Sequence, residues 1–184
     1  MLKNGGIDFL SFEKLLDFHS NAGTDGIVLV GTTGESATLT KNERAEIFGF
    51  ARSETNIPLM AGVGSSSTTE AIALVESALD NDIKDCLAVT PYYNKPSQKG
   101  LELHYKELSK VGANIILYNV PGRTGVDLLP STIEKLIDIK TVTGIKEAVD
   151  SQDRFVALSK IKEKRHDFKS VSYTHLTLPT NLSV

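Results

Sequence analysis

The chain has 184 residues, 40% of them hydrophobic and 23% charged, with a net charge of -3, which is the balance of a soluble globular domain and not of a disordered one. Lys and Arg are interspersed with Asp and Glu, so there is no basic footprint for nucleic acid, and the densest basic run, Lys160 to Arg165, reads as the solvated end of a helix. The single cysteine, Cys86, excludes a disulfide framework, no apolar run approaches the ~18 residues of a membrane span, and no apolar signal core follows Met1. These features point to a cytoplasmic protein without membrane contact.

The first predicted element is an amphipathic helix from about Ser11 that turns Phe12, Leu15, Leu16 and His19 to one side and stops at Gly23. Five short β-rich runs then recur: Gly26 to Val30, Pro58 to Gly62, Asp85 to Thr90, Asn114 to Asn119 and Thr141 to Lys146. Their centres lie about 30 residues apart, the length of one β-loop-α unit. Between them, Thr40 with Glu43, Ser67 with Glu70 and Ser131 with Glu134 each fit a capping box at a helix start. Leu101, Tyr105 and Leu108 line one helical face, and Phe155, Leu158 and Ile161 line the last. Near-continuous apolar strands alternating with helices imply an α/β fold with a parallel sheet.

An open doubly wound sheet and a (β/α)8 TIM barrel both satisfy that pattern. Chemistry-bearing residues follow almost every strand, which favours the barrel. A closed barrel typically needs about 250 residues, so the expectation is an incomplete one with about five of its eight strands, spanning residues 1–170.

Lys146 closes the fifth run. At a strand end facing a barrel mouth, partial desolvation lowers a lysine's pKa and frees the amine to attack a ketone, although a strand-closing lysine is more often merely solvated. Gly31-Thr32-Thr33-Gly34 offers hydroxyls and backbone N–H groups to a carboxylate, or is a plain turn. Tyr118 and the pair Tyr92-Tyr93 have hydroxyls suited to proton relay, or are packing aromatics. Arg123 lies in a Pro- and Gly-rich loop and could fork onto a substrate carboxylate. Gly62 to Ser67 lacks the ending of a phosphate loop, and His19, His104, His166 and His175 lack metal-ligand spacing, so no metal is expected.

Four segments carry a resemblance: Gly31 to Ser36, Thr90 to Pro96, Tyr118 to Gly125 and Gly144 to Ala148. In this order and spacing they resemble the dihydrodipicolinate synthase and N-acetylneuraminate lyase superfamily, on the synthase side, from about residue 5 to about residue 170. The resemblance implies a lyase that joins pyruvate and L-aspartate 4-semialdehyde in diaminopimelate and lysine biosynthesis, with no cofactor. It implies that Lys146 forms the Schiff base and that Tyr118 shuttles protons with Thr32. Tyr93 would reach in from a neighbouring subunit of a homotetramer built as a dimer of dimers. Thr32 and Thr33 would hold the pyruvate carboxylate, and Arg123 the semialdehyde.

A lysine-feedback site would match Ser36, Ala37, Lys41, Arg44, Ser66, Glu70 and Tyr92. The cations at Lys41 and Arg44 imply weak or absent inhibition. Residues 171–184 match nothing in the family and resemble the read-through of a sequencing-library adapter, so they are expected to be a non-native tail. The chain alone is expected to fold poorly and be nearly inactive. Alternatives are another pyruvate-dependent Schiff-base aldolase, a non-catalytic phosphate-binding domain, and a fragment with no function of its own.

Overall fold

The computed structural model describes residues 2–3 and 5–172. A short antiparallel hairpin, β1 (Leu2–Lys3) with β2 (Gly6–Ile7), leads into α1 (Phe9–Asn21). The Asp8 carboxylate accepts the Ser11 N–H at 3.1 Å and so caps α1, two residues ahead of the start the apolar pattern suggests. The helix ends before Gly23, whose φ of +69° redirects the chain. Only Phe12 and Leu16 are buried on α1; Leu15 is exposed and His19 half-buried.

Strands and helices then alternate: β3 (Ile27–Leu29), α2 (Lys41–Glu54), β4 (Leu59–Gly62), α3 (Thr68–Asp80), β5 (Asp85–Val89), α4 (Gln98–Ser109), β6 (Asn114–Asn119), α5 (Pro121–Thr124), α6 (Pro130–Ile133), β7 (Val142–Glu147), α7 (Gln152–Lys164) and β8 (Lys169–Ser172). The sheet is parallel throughout, in the order β3-β4-β5-β6-β7-β8. It is an incomplete (β/α)8 barrel, with one strand more than the five apolar runs. The sixth, β8, escapes a hydrophobic pattern because Lys169-Ser170-Val171-Ser172 holds a single apolar residue. Val171 and Ser172 pair with Lys146 and Glu147, and the rest of the expected tail lies outside the described residues.

Local chemistry sets the helix starts. Thr40 and Glu43 form the reciprocal capping box, with the Glu43 carboxylate accepting the Thr40 N–H at 2.7 Å. At α3 only half of the box forms, since Ser67 accepts the Glu70 N–H while the Glu70 carboxylate takes the Ser65 hydroxyl. The Ser131–Glu134 box does not form. Pro130, with φ preset and no N–H to satisfy, starts α6 two residues earlier than that box would, and the helix gives way to turns after Ile133.

The carbonyls of Ile137, Ile139 and Val142 are instead taken by the Arg165 guanidinium at 2.6, 3.0 and 2.7 Å. Arg165 is therefore a staple with a side chain 16% exposed, a correction to its reading as part of a solvated helix end. On α7, Leu158 and Ile161 are buried as the periodicity predicts, but Phe155 faces outward and Arg154 is buried in its place.

The main core lies between the sheet and its helices and includes Phe48, Leu74, Tyr105, Leu117 and Ile145. Cys86 belongs to it, and burial pushes its thiol up to about 12, which leaves it an inert packing residue. A smaller cluster of Leu87, Tyr118 and Val120, flanked by Met60, Val89 and Ile116, occupies the opposite, inner face of the sheet.

Candidate active site

The inner face carries the site because of an irregularity between β6 and β7. Ile115 faces Val142, but the next residue, Ile116, faces Gly144, so β7 holds one extra residue there. Regular alternation from Val142, whose side chain joins the outer core, would turn Lys146 outward too. With the extra residue, Ile145 returns to the outer core and Lys146 lies on the inner face, where it lines a cavity. Gly144 accommodates the bend, since a Cβ there would press on the Lys169 carbonyl of β8.

Tyr118 and Lys146 are direct neighbours across the two strands, and the Lys146 ammonium nitrogen lies 4.7 Å from the Tyr118 ring centroid. Both line a cavity of about 350 Å³ with Val28, Gly31, Thr32, Thr33, Gly34 and Leu87, a volume in the range of small-molecule sites. Lys146 is half-buried, and desolvation lowers its pKa below the ordinary lysine value. A second pocket of about 30 Å³ shares Gly31, Thr32, Leu87 and Tyr118 with the first and is otherwise lined by Val30, Ser36, Gly62, Gly64 and Val89.

The loop bearing Thr32 and Thr33 is tightly wound. Glu35 N–H donates to the Thr32 carbonyl at 3.1 Å, and both Val30 and Glu35 have left-handed φ, 53° and 59°. A buried β-branched residue in that region is a strained conformation, costing on the order of 1–3 kcal/mol. Gly62 makes room for it, because any Cβ there would collide with the Val30 carbonyl. The strain redirects the chain at the end of β3 so that Thr32 and Thr33 reach the cavity.

The structure thus gathers Lys146, Tyr118, Thr32 and Thr33 and leaves two other candidates apart. Arg123, in the last turn of α5, is exposed and does not line the cavity. Tyr93 is 92% exposed, with φ 74° and its N–H 3.4 Å from the Thr124 carbonyl. Of the residues matched to a feedback site, Arg44 is buried and donates to the Ser36 carbonyl at 2.6 Å, while Lys41 and Glu70 are exposed.

Residues without a role in the sequence reading lie on the opposite side of the same strands. Asn119 and Glu147, each directly after a site residue, are 0% and 1% exposed. The Asn119 carboxamide donates to the two Glu147 oxygens at 2.9 and 3.2 Å and to Asp127 at 2.7 Å. Arg154 reaches in from α7 to Asp127, the Leu128 carbonyl and Glu147. Burial raises the Glu147 pKa, opposed by the Val149 N–H and the Arg154 charge. The legible signal was polar residues, Asn119 and Glu147, at the ends of apolar strands.

The Dihydrodipicolinate synthetase family model matches residues 1–173. The 4-hydroxy-tetrahydrodipicolinate synthase of Stutzerimonas stutzeri is 50% identical over 153 residues, 82% of this chain and 52% of that protein. The chloride-inhibited dihydrodipicolinate synthase of Acinetobacter baumannii, solved with pyruvate, superposes with a TM-score of 0.87 at 43% identity, over 94% of this chain and 60% of that one. A monomeric dihydrodipicolinate synthase variant gives a TM-score of 0.87 at 40% identity, over 93% and 59%. The chain therefore spans about half the length of the relatives it matches, and it belongs to the dihydrodipicolinate synthetase family.

Proposed function

We propose that the full-length protein carrying this sequence is a lyase that condenses pyruvate with L-aspartate 4-semialdehyde through an imine on Lys146, giving 4-hydroxy-tetrahydrodipicolinate. The observation that carries the reading is a half-buried amine of lowered pKa, 4.7 Å from the Tyr118 ring centroid, in a cavity edged by Thr32 and Thr33. The neutral amine adds to the pyruvate carbonyl, and loss of water forms the imine. Tyr118 with Thr32 moves the protons that the addition and dehydration require. The Thr32-Thr33-Gly34 turn receives the carboxylate through hydroxyl and backbone N–H donors. The imine then draws electrons from the adjacent C–H bond; the proton leaves the methyl group, the enamine carbon bonds to the aldehyde carbon, and the aldehyde oxygen takes up a proton to become the hydroxyl. The amino group of the semialdehyde then adds to the imine carbon, which closes the ring and expels the Lys146 amine. The protonated imine on Lys146 is the electron sink, so the reading needs no cofactor.

Exposed Tyr93 is read as the residue that enters a neighbouring subunit's site in a homotetramer, and Arg123 as the partner of the aldehyde substrate. The aldehyde identity rests on Arg123 and on the names of the relatives, so it has its own test: turnover with aspartate semialdehyde against sugar aldehydes. The cations at Lys41 and Arg44 support weak feedback, and lysine at submillimolar concentration is expected to leave the rate unchanged. The chain alone has little activity in this reading, because β3 and β8 are open sheet edges among the described residues and Val28, which lines the cavity, is 47% exposed.

The decisive measurement is mass spectrometry of the full-length protein after borohydride reduction with pyruvate. A covalent adduct on Lys146 that is absent from Lys146→Ala is the expected result. An unlabelled lysine, or an equal adduct in the variant, refutes the assignment.

A further inference from the structure

We propose that the buried Asn119–Glu147 pair, braced by Arg154 and Asp127, is a register lock that positions Lys146 beside Tyr118. The proposal rests on Lys146 as the imine-forming residue. Its starting point is the extra residue in β7: past Ile115 the pairing of β6 with β7 departs from regular alternation. A slip of one residue would turn Lys146 from the cavity toward the helices. A hydrophobic pattern fixes register where one face is apolar and the other polar, but both faces of these strands carry apolar side chains, so that pattern discriminates less here.

Asn119 and Glu147 do discriminate. They are Cα partners one step beyond Tyr118 and Lys146, and their side chains face the helix layer while those of Tyr118 and Lys146 face the cavity. The carboxamide donates to both carboxylate oxygens at 2.9 and 3.2 Å, and its own oxygen accepts the Leu128 N–H at 2.9 Å. Glu147 also accepts the N–H groups of Ala148 and Val149 at 3.0 and 2.9 Å, which fixes the chain as it leaves β7. Arg154 donates to the Leu128 carbonyl at 2.8 Å and to Glu147 at 3.4 Å and pairs with Asp127, tying the end of β7 to α7 and to the loop after α5. Moving either strand by one residue would take the Asn119 donor away from the buried Glu147 carboxylate, which would keep only the N–H groups of its own strand end and Arg154. None of the four residues lines the cavity, so any effect on chemistry passes through the backbone.

The test measures, in the full-length protein, the rate and pH dependence of borohydride-trapped pyruvate labelling at Lys146. Glu147→Gln keeps the volume but sets an amide N–H2 against the Asn119 and Arg154 donors; Asn119→Ala, which leaves the carboxylate its other partners, is the second variant should the first not fold. Leu158→Ala, which opens a cavity in the packing of the same helix, is the stability control.

The expected result is labelling slowed on the order of 10²-fold in folded Glu147→Gln or Asn119→Ala, the loss that a displacement of about 1 Å brings. Its pH midpoint should move upward, because a displaced amine regains water, and Leu158→Ala should change neither. Deleting a neighbouring negative charge would by itself move the midpoint down, so a downward shift overturns the proposal. Labelling at the unsubstituted rate and pH also overturns it, as does an equal slowing in Leu158→Ala. In those cases Lys146 is still labelled and the functional reading stands; an unlabelled parent protein refutes both.

Discussion

The two faces of β6 and β7 carry different kinds of polar residue a single position apart. On the inner face, Lys146 is half-buried in a cavity, its charge disfavoured by desolvation, beside the Tyr118 ring. On the outer face, Asn119 and Glu147 are sealed in a network in which each buried oxygen or nitrogen of the pair has a partner. In the proposed reading, reactivity and order fall on opposite sides of the same two strands. The inner groups line the cavity, and the outer ones, on the register-lock proposal, hold the backbone that places them there.

The sharpest break of that division is Arg154→Ala. It leaves Glu147 and Asp127 without their counter-charge at a site where Arg154 is 8% exposed, so a loss of about 3–5 kcal/mol in unfolding free energy is expected. Denaturant titration of the full-length protein measures it, and a loss under about 1 kcal/mol would show that the network contributes little to stability.

The helix layer also contains a pH-sensitive group. His104 is 4% exposed, its Nδ1 lies 2.9 Å from the Thr68 hydroxyl, and desolvation lowers its pKa from 6.5 to about 4. Its neutral form is favoured in the folded chain, so stability is fully present above pH 6.5. It is lost as the unfolded chain takes up a proton between pH 6.5 and about 4. The loss amounts to at most about 3 kcal/mol. His104→Gln removes that titration, so the thermal midpoint should fall less between pH 7 and pH 5 than in the parent; equal falls would place the acid sensitivity elsewhere.

How far the sequence reveals these features differs between the two faces. The five apolar runs and most helix caps follow from local chemistry, because a strand buried on both sides must be apolar and a helix start needs its N–H groups satisfied. Lys146, Tyr118, Thr32 and Thr33 were legible as unusual residues at strand ends that share one mouth. The extra residue in β7 left one trace, Gly144 inside an apolar run, since a glycine there often marks a bulge, but a lone glycine does not say which way the side chains after it turn. Arg165 and Arg154 were hidden for a related reason: each looks like a solvated helix charge, and only tertiary contact reveals the carbonyls and carboxylates that each one satisfies. β8 was missed because its pairing to β7, rather than its own hydrophobicity, makes it a strand.

On the inner face, removing a single oxygen separates chemistry from stability. Tyr118→Phe keeps the ring beside Lys146 and removes the hydroxyl, so imine trapping should slow on the order of 10²-fold while unfolding free energy changes by about 1 kcal/mol. Unchanged trapping would move the proton relay to another group. A loss of stability as large as that of Arg154→Ala would erase the distinction between the faces.

The smallest expected effect concerns Tyr93, which belongs to neither face. Its side chain is 92% exposed and its φ of 74° is a conformation that costs a non-glycine residue about 1–2 kcal/mol. Glycine relieves that cost but gives back roughly 0.5–1 kcal/mol in unfolded-state entropy. Tyr93→Gly should therefore stabilise the protein by about 0.5 kcal/mol while lowering turnover wherever Tyr93 completes a neighbour's site. A gain in stability with no loss of turnover would leave the strained backbone without a catalytic reason. A loss of both would mean that the exposed ring packs against another chain, and that its contribution there outweighs the strain it imposes on its own.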